Sequence, residues 1–120
     1  CIRDSHSPDP FFMVGGAVNA AFLNFTKALS KRGLVDGVNV NSINPGMTST
    51  DRLITIIQNN ADREGISFAD AEKNALKNIG LDRFSTPEEV AELTYFLCNP
   101  KVRHLTGTEI NLDGGKKPTI

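Results

Sequence analysis

The residues best placed to do chemistry in this chain are a turn and the hydroxyls behind it: Pro45-Gly46 after Asn44, then Thr48 and Thr50. A Pro-Gly turn ending a strand-like run opens a ledge at the strand's carboxyl end, where open α/β sheets bind their ligands. The plainer account of the same residues is a strand exit followed by a helix cap. A second turn, Asp113-Gly114-Gly115, closes another strand-like run near the C-terminus. Other reactive side chains are isolated. His6 and His104 have no Cys, Asp or Glu partner at metal-ligand spacing, and no metal site is expected. Cys98 falls on the apolar side of a helical run and reads as a small buried hydrophobe. Tyr95, in the same stripe, reads as core. Cys1 reads as a disordered end residue.

The elements that must position these residues follow from periodicity. Asp9-Pro10 has the form of an N-cap followed by proline at the first helical position. A helix is expected from about Pro10 to Arg32, with Gly33 as its stop. Phe11, Val14, Val18, Phe22, Phe25 and Leu29 recur at three- and four-residue spacing and form one apolar stripe. Small residues, Ala17, Ala20, Ala21 and Ala28, occupy other faces. Such a helix packs on two sides, a sheet on one and a partner helix on the other. Gly15-Gly16 weakens its first turns by about 1 kcal/mol per glycine relative to alanine.

Asp36-Gly37 signals a turn. Val38 to Ile43 then alternates as a strand does. Ser49 or Thr50 caps a helix from about Asp51 to Arg63, with a stripe of Leu53, Ile54, Ile56 and Ile57, and Gly65 breaks it. Ser67 caps a second helix to about Lys77, with Asp70 at its third position. Thr86-Pro87-Glu88-Glu89 combines a Thr cap, Pro at the first position and Glu at the third. The helix it opens carries Val90, Leu93, Tyr95, Phe96 and Leu97. Thr108 to Leu112 reads as the last strand. Strands separated by helices imply a parallel sheet with right-handed crossovers. Two strands do not make a stable sheet alone, so neighbouring strands are expected from another segment or chain.

Composition bounds the function. With 39% hydrophobic and 22% charged residues, the 120-residue chain suits one small domain or part of a larger one. Thirteen basic against 14 acidic residues give a net charge of −1. That balance offers nothing to nucleic acid or to an anionic membrane. No apolar run approaches the ~20 residues that span a bilayer. No basic segment leads into an apolar run at the start. Two cysteines are too few for a disulfide framework, and a cytoplasmic setting is the default expectation. The first residue is Cys rather than Met, which leads us to expect that a preceding segment is absent.

In this order and spacing the motifs resemble the C-terminal half of a short-chain dehydrogenase/reductase. The resemblance runs from about Pro10 to Gly115. Asn19 to Leu29 is similar to the helix that normally opens with the catalytic Lys. Gly37 to Gly46 is similar to the following strand and its exit turn, and Thr50 to the Thr after that turn. Arg83 to Ala91 is similar to a capped helix behind the substrate segment, and Leu105 to Gly115 to the last strand. The resemblance implies an α/β fold, the C-terminal portion of a doubly wound, Rossmann-type parallel sheet. It implies an oxidoreductase that passes hydride between NAD or NADP and a carbonyl or alcohol. Asn19, Pro45, Gly46, Thr48 and Thr50 would be its cofactor-binding residues, and residues 51–80 its substrate cover. A small-molecule substrate and a homo-oligomer are implied as well.

The departures define a divergent branch. Where the family carries Tyr-x-x-x-Lys, this chain has Gly15 and Asn19. In the family the Tyr exchanges a proton with the substrate oxygen, and the Lys lowers its pKa and binds the ribose. A phenol with a free pKa near ~10 needs such a cation to act as a base at neutral pH. Glycine does no proton chemistry, and Asn19 can hydrogen-bond a ribose without charge. The family Ser would fall near Cys1 or Ile2. No catalytic residue is therefore assigned. The resemblance admits an oxidoreductase with an altered catalytic centre, a non-catalytic dinucleotide-binding or scaffold protein, or an assembly module.

Overall fold

The computed structural model describes residue 10 and residues 12–116. Asp9, Phe11, His6, Cys1 and Ile2, with the cap and Ser position assigned to them, lie outside the described residues. The elements run α1 (Met13–Asp36), β1 (Ser42–Pro45), α2 (Asp51–Glu64), α3 (Phe68–Ile79), α4 (Pro87–Leu97), a 3-10 turn (Pro100–Val102) and β2 (Glu109–Leu112). β1 and β2 pair in parallel, with Ser42 opposite Glu109 and Pro45 opposite Leu112. Three helices separate the two strands, so the fold is mixed α/β.

α1 does not stop at Gly33. It continues to Asp36, and Gly37 supplies the left-handed cap at φ 69°. Gly33 is buried inside the helix because the chain doubles back over it. Val38 N–H donates to the Gly33 carbonyl at 2.8 Å, and a β-carbon at 33 would run into the Val38 carbonyl. The glycine meets a close approach, not a helix end. The start differs too: Phe12 occupies the cap position and makes no side-chain cap bond. Gly16, Thr26, Ser30 and Gly33 are the buried residues of this helix. The apolar stripe faces outward instead, with Phe25 60% and Val14 78% exposed.

β1 begins four residues later than the valine alternation suggests. Residues 38–41 lie beside 103–107, but side chains do much of the bonding. Asn39 donates to the Arg103 carbonyl at 2.9 Å, Asn41 donates to the Leu105 carbonyl at 2.7 Å, and Val40 N–H donates to Thr106 Oγ1 at 3.0 Å. The facing chain turns at Gly107, φ 69°, and the backbone ladder starts only beyond that turn. β2 accordingly begins at Glu109 rather than Thr108.

The core lies between α2 and α3. Leu53, Ile57 and Ala61, four residues apart on α2, bury against Ala71 of α3 and Phe84. Ile54 and Ile56, expected in that stripe, are exposed, because helical spacing puts them off the Leu53–Ile57–Ala61 line. Thr50 caps α2 and Ser67 caps α3, and each helix ends on a left-handed glycine, Gly65 and Gly80. α3 therefore runs two residues past Lys77. α4 opens with the full capping box and packs beside β1. None of its residues is buried. Tyr95, 77% exposed, is not core, and Cys98 is an exposed free thiol at the helix end, not a buried hydrophobe. The described residues offer nothing to cover that side of α4.

Candidate functional site

Both strands end at the same place, and a cavity of about 450 Å3 opens there. Its floor is Asn44, Pro45 and Gly46 from the end of β1, with Leu112, Asp113 and Gly114 from the end of β2. One wall comes from the end of α3, with Ile79 and Leu81; another is Asp82, Arg83, Ser85 and Glu89. Gly46 N–H donates to the Leu112 carbonyl at 3.0 Å and so carries the ladder one residue past β1. A β-carbon at 46 would stand 3.0 Å from Asp113 Cα, so a side chain there would push the two exits slightly apart. Gly114 has φ 66° and lies under the Leu81 side chain, at 2.5 Å from the position of a β-carbon. The Pro-Gly and Asp-Gly-Gly turns are thus two halves of one floor.

The floor is braced from within. Asn44, 3% exposed, donates to Glu109 Oε1 and to Asn111 Oδ1, both at 2.8 Å. These acceptors lie on β2 directly opposite and two residues before, on the same face of the sheet. The wall carries a two-bonded charge pair. Arg83 meets Glu89 with two bonds, Nη1 to Oε2 at 2.9 Å and Nη2 to Oε1 at 2.8 Å. Glu89 Oε2 also accepts the Thr86 N–H at 2.8 Å. The Arg83 bonds first, and the Thr86 N–H second, hold the Glu89 carboxyl at about 2, below its ordinary 4.5. The same pair raises the Arg83 guanidinium pKa. Glu89 was legible in the sequence as a capping residue; its second bond to Arg83, six positions away, follows no helical repeat.

Of the residues expected to hold a cofactor, Pro45 and Gly46 line the cavity. Thr48 and Thr50 stand just behind it. The Thr48 hydroxyl lies 2.9 Å from the Ser85 hydroxyl. Thr50 Oγ1 accepts Leu53 N–H at 3.4 Å as the α2 cap and donates to the Thr48 carbonyl at 3.3 Å. Asn19, half-buried on α1, is not among the residues lining the cavity. At Gly15 the missing side chain's place is taken: a β-carbon there would fall within the ring of Phe12. Ile79, Leu81, Arg83, Ser85, Asp113 and Lys116 join the site only through tertiary structure. Among the described residues no group of three or more His, Cys, Asp or Glu could hold a metal ion. No described helix is long and apolar enough to cross a membrane.

A family model described as enoyl-(acyl carrier protein) reductase matches residues 7–117. The chain belongs to the short-chain dehydrogenase/reductase family. Within this family, NADPH-dependent reductase BacG of Bacillus subtilis (strain 168) is 31% identical over 113 residues, which are 94% of this chain and 44% of BacG. A short-chain dehydrogenase family protein from Francisella tularensis superposes with a TM-score of 0.89 at 32% identity, over 97% of this chain and 48% of that one. L-sorbose reductase from Gluconobacter frateurii, solved with NADPH and L-sorbose, gives 0.80 at 27% identity, over 93% of this chain and 42% of its own. The chain thus spans under half the length of these short-chain dehydrogenase/reductase relatives. It matches the C-terminal part of their Rossmann-type fold.

Proposed function

We propose that this chain forms the nicotinamide and substrate side of an NAD(P)-dependent oxidoreductase that acts on a carbonyl or alcohol of a small molecule. The observation that carries the reading is the cavity at the carboxyl ends of β1 and β2, floored by Pro45 and Gly46. Parallel α/β sheets bind ligands at that edge. The residues fit a nicotinamide ring: Pro45, Met47 and Leu112 offer apolar surface, and both Thr50 bonds are long enough to be exchanged for a ligand's amide. In this reading Pro45, Gly46, Thr48 and Thr50 flank the nicotinamide and Asn19 serves the ribose. The cofactor supplies the hydride. The chain's own part is to seat it, to line the substrate space and to cover that space with α2 and α3. The cytoplasmic setting remains part of the proposal and rests on composition.

Proton transfer is the altered step. Gly15 has no group to give, and Phe12 fills the adjoining space. That packing favours a second reading, in which the dinucleotide is bound and no proton is moved. Calorimetric titration of the whole protein with NADH and NADPH, followed by assay against ketones and alcohols, tests both. Binding at micromolar concentration with turnover supports the oxidoreductase, and binding without turnover supports the second reading. Failure to bind either nucleotide at millimolar concentration overturns both.

A further inference from the structure

We infer that the hydroxyls of Thr48 and Ser85 form a latch that fixes one wall of the cavity against its floor, with Ser85 as a positioning residue. The latch stands on geometry; only its ligand consequences rest on the functional reading above. Met47 follows the floor turn and Ser85 belongs to the Arg83–Glu89 wall, and both line the cavity. A short parallel bridge joins residues 48 and 85. Ser85 N–H donates to the Met47 carbonyl at 3.1 Å, and Ser49 N–H donates to the Ser85 carbonyl at 2.8 Å. The side chains add a chain of their own. Ser85 Oγ donates to the Met47 carbonyl at 3.1 Å. Thr48 Oγ1 in turn faces the Gly46 carbonyl at 3.4 Å. Each hydroxyl has one proton and a carbonyl of its own within reach, so either can donate the 2.9 Å bond between them. The hydroxyl pair thus ties Ser85 to both Met47 and Gly46.

The place of this chain of bonds gives it a role. Between residues 48 and 85 the polypeptide makes the whole α2–α3 excursion, whose core is its own. The bridge sits at the base of that excursion, where it returns to the sheet. The two backbone bonds could form with any residue but proline at 85. The hydroxyls additionally fix the rotation of the Ser85 segment, and with it the direction from which Arg83 and Glu89 face the Pro45-Gly46 floor. Losing them lets the wall swing while the helices stay folded.

The test uses the whole protein with Thr48→Val, Ser85→Ala, the double variant and Thr48→Ser, which keeps the hydroxyl. Hydrogen exchange at the Ser49 and residue-85 amides should quicken about fivefold in either single variant, the scale of one net hydrogen bond. The double variant should add little, because the two groups act as one unit, and Thr48→Ser should restore the wild-type rate. Unchanged exchange, or additive effects of the two substitutions, overturns the latch whether or not a nucleotide binds. With NADPH and a substrate that is turned over, KM should rise several-fold and kcat fall by a smaller factor. Equal losses in kcat and melting temperature that Thr48→Ser fails to rescue also overturn it. A wild-type protein that binds no nicotinamide nucleotide defeats the functional reading alone, since the exchange experiment still decides the latch.

Discussion

At the scale of single residues, Gly15 and Phe12 pose the acid–base question. The family-like repair Gly15→Tyr with Asn19→Lys meets the Phe12 ring, so the pair alone should misplace the new phenol. Adding Phe12→Ala vacates that space. General acid–base catalysis is worth roughly a hundred- to ten-thousand-fold. In the whole protein the triple variant should gain carbonyl reduction on that scale, and the double variant much less. A triple variant that binds NADPH yet stays at the wild-type rate would show that the proton travels by another route. Gly33 makes a second residue-scale case. Alanine in mid-helix gains about 1 kcal/mol over glycine, but here its methyl meets a backbone carbonyl that no rotamer change can move. Overpacking of that kind costs about 1–3 kcal/mol. Gly33→Ala should therefore be net destabilising in denaturant unfolding, and a stabilised variant would contradict the close approach.

Helix ends and strand exits carry the argument at the scale of elements. The α4 cap links Thr86, Glu89 and Arg83, and it stands in the cavity wall. Thr86→Ala should cost about 1 kcal/mol, the usual worth of a Thr cap. Glu89 also makes the wall sensitive to acid. Its carboxyl pKa is depressed in the folded chain to about 2 from 4.5. The stability it contributes is present above pH 4.5 and is lost as pH falls from there toward 2. The pair is solvent-exposed, so the effect is small. Glu89→Gln should flatten the stability–pH curve between pH 4.5 and 2 and leave its shape above pH 5 unchanged. An unaltered slope in acid would remove Glu89 from that role.

Over the whole molecule, the unbalanced feature is α1. Gly16, Thr26, Ser30 and Gly33 are buried against the described fold, while Val14, Val18, Phe22, Phe25 and Leu29 stand exposed. An apolar stripe along a 24-residue helix is a surface that calls for cover. We propose a second copy of the chain as that cover, in keeping with symmetric homo-oligomers. Phe25→Asp should shift the whole protein toward monomer in analytical ultracentrifugation. A wild-type monomer would mean that the cover comes from within the protein, and an unchanged oligomer would move the interface elsewhere.

What the sequence determined by itself was local. Ser67, Thr86, Gly65 and the Asp113-Gly114-Gly115 turn were legible because a cap or a turn is settled among residues three or four apart. The ordered motifs were legible as a family for the same reason: each is short. Other features were decided only by tertiary structure. The burying face of α1 depends on what passes beside it, and the large apolar side chains misled where Gly16, Thr26, Ser30 and Gly33 made the contact. β1 starts at Ser42 because its partner turns at Gly107, and the strand's own alternation holds no trace of that. Tyr95 and Cys98 read as core from their stripe, yet an apolar stripe says only that a helix has a face and not that something lies against it. The cavity itself joins residues from 44 to 116. Thr48 and Ser85 are 37 positions apart, and at that distance the bond between them depends on the path of the chain rather than on spacing or residue type.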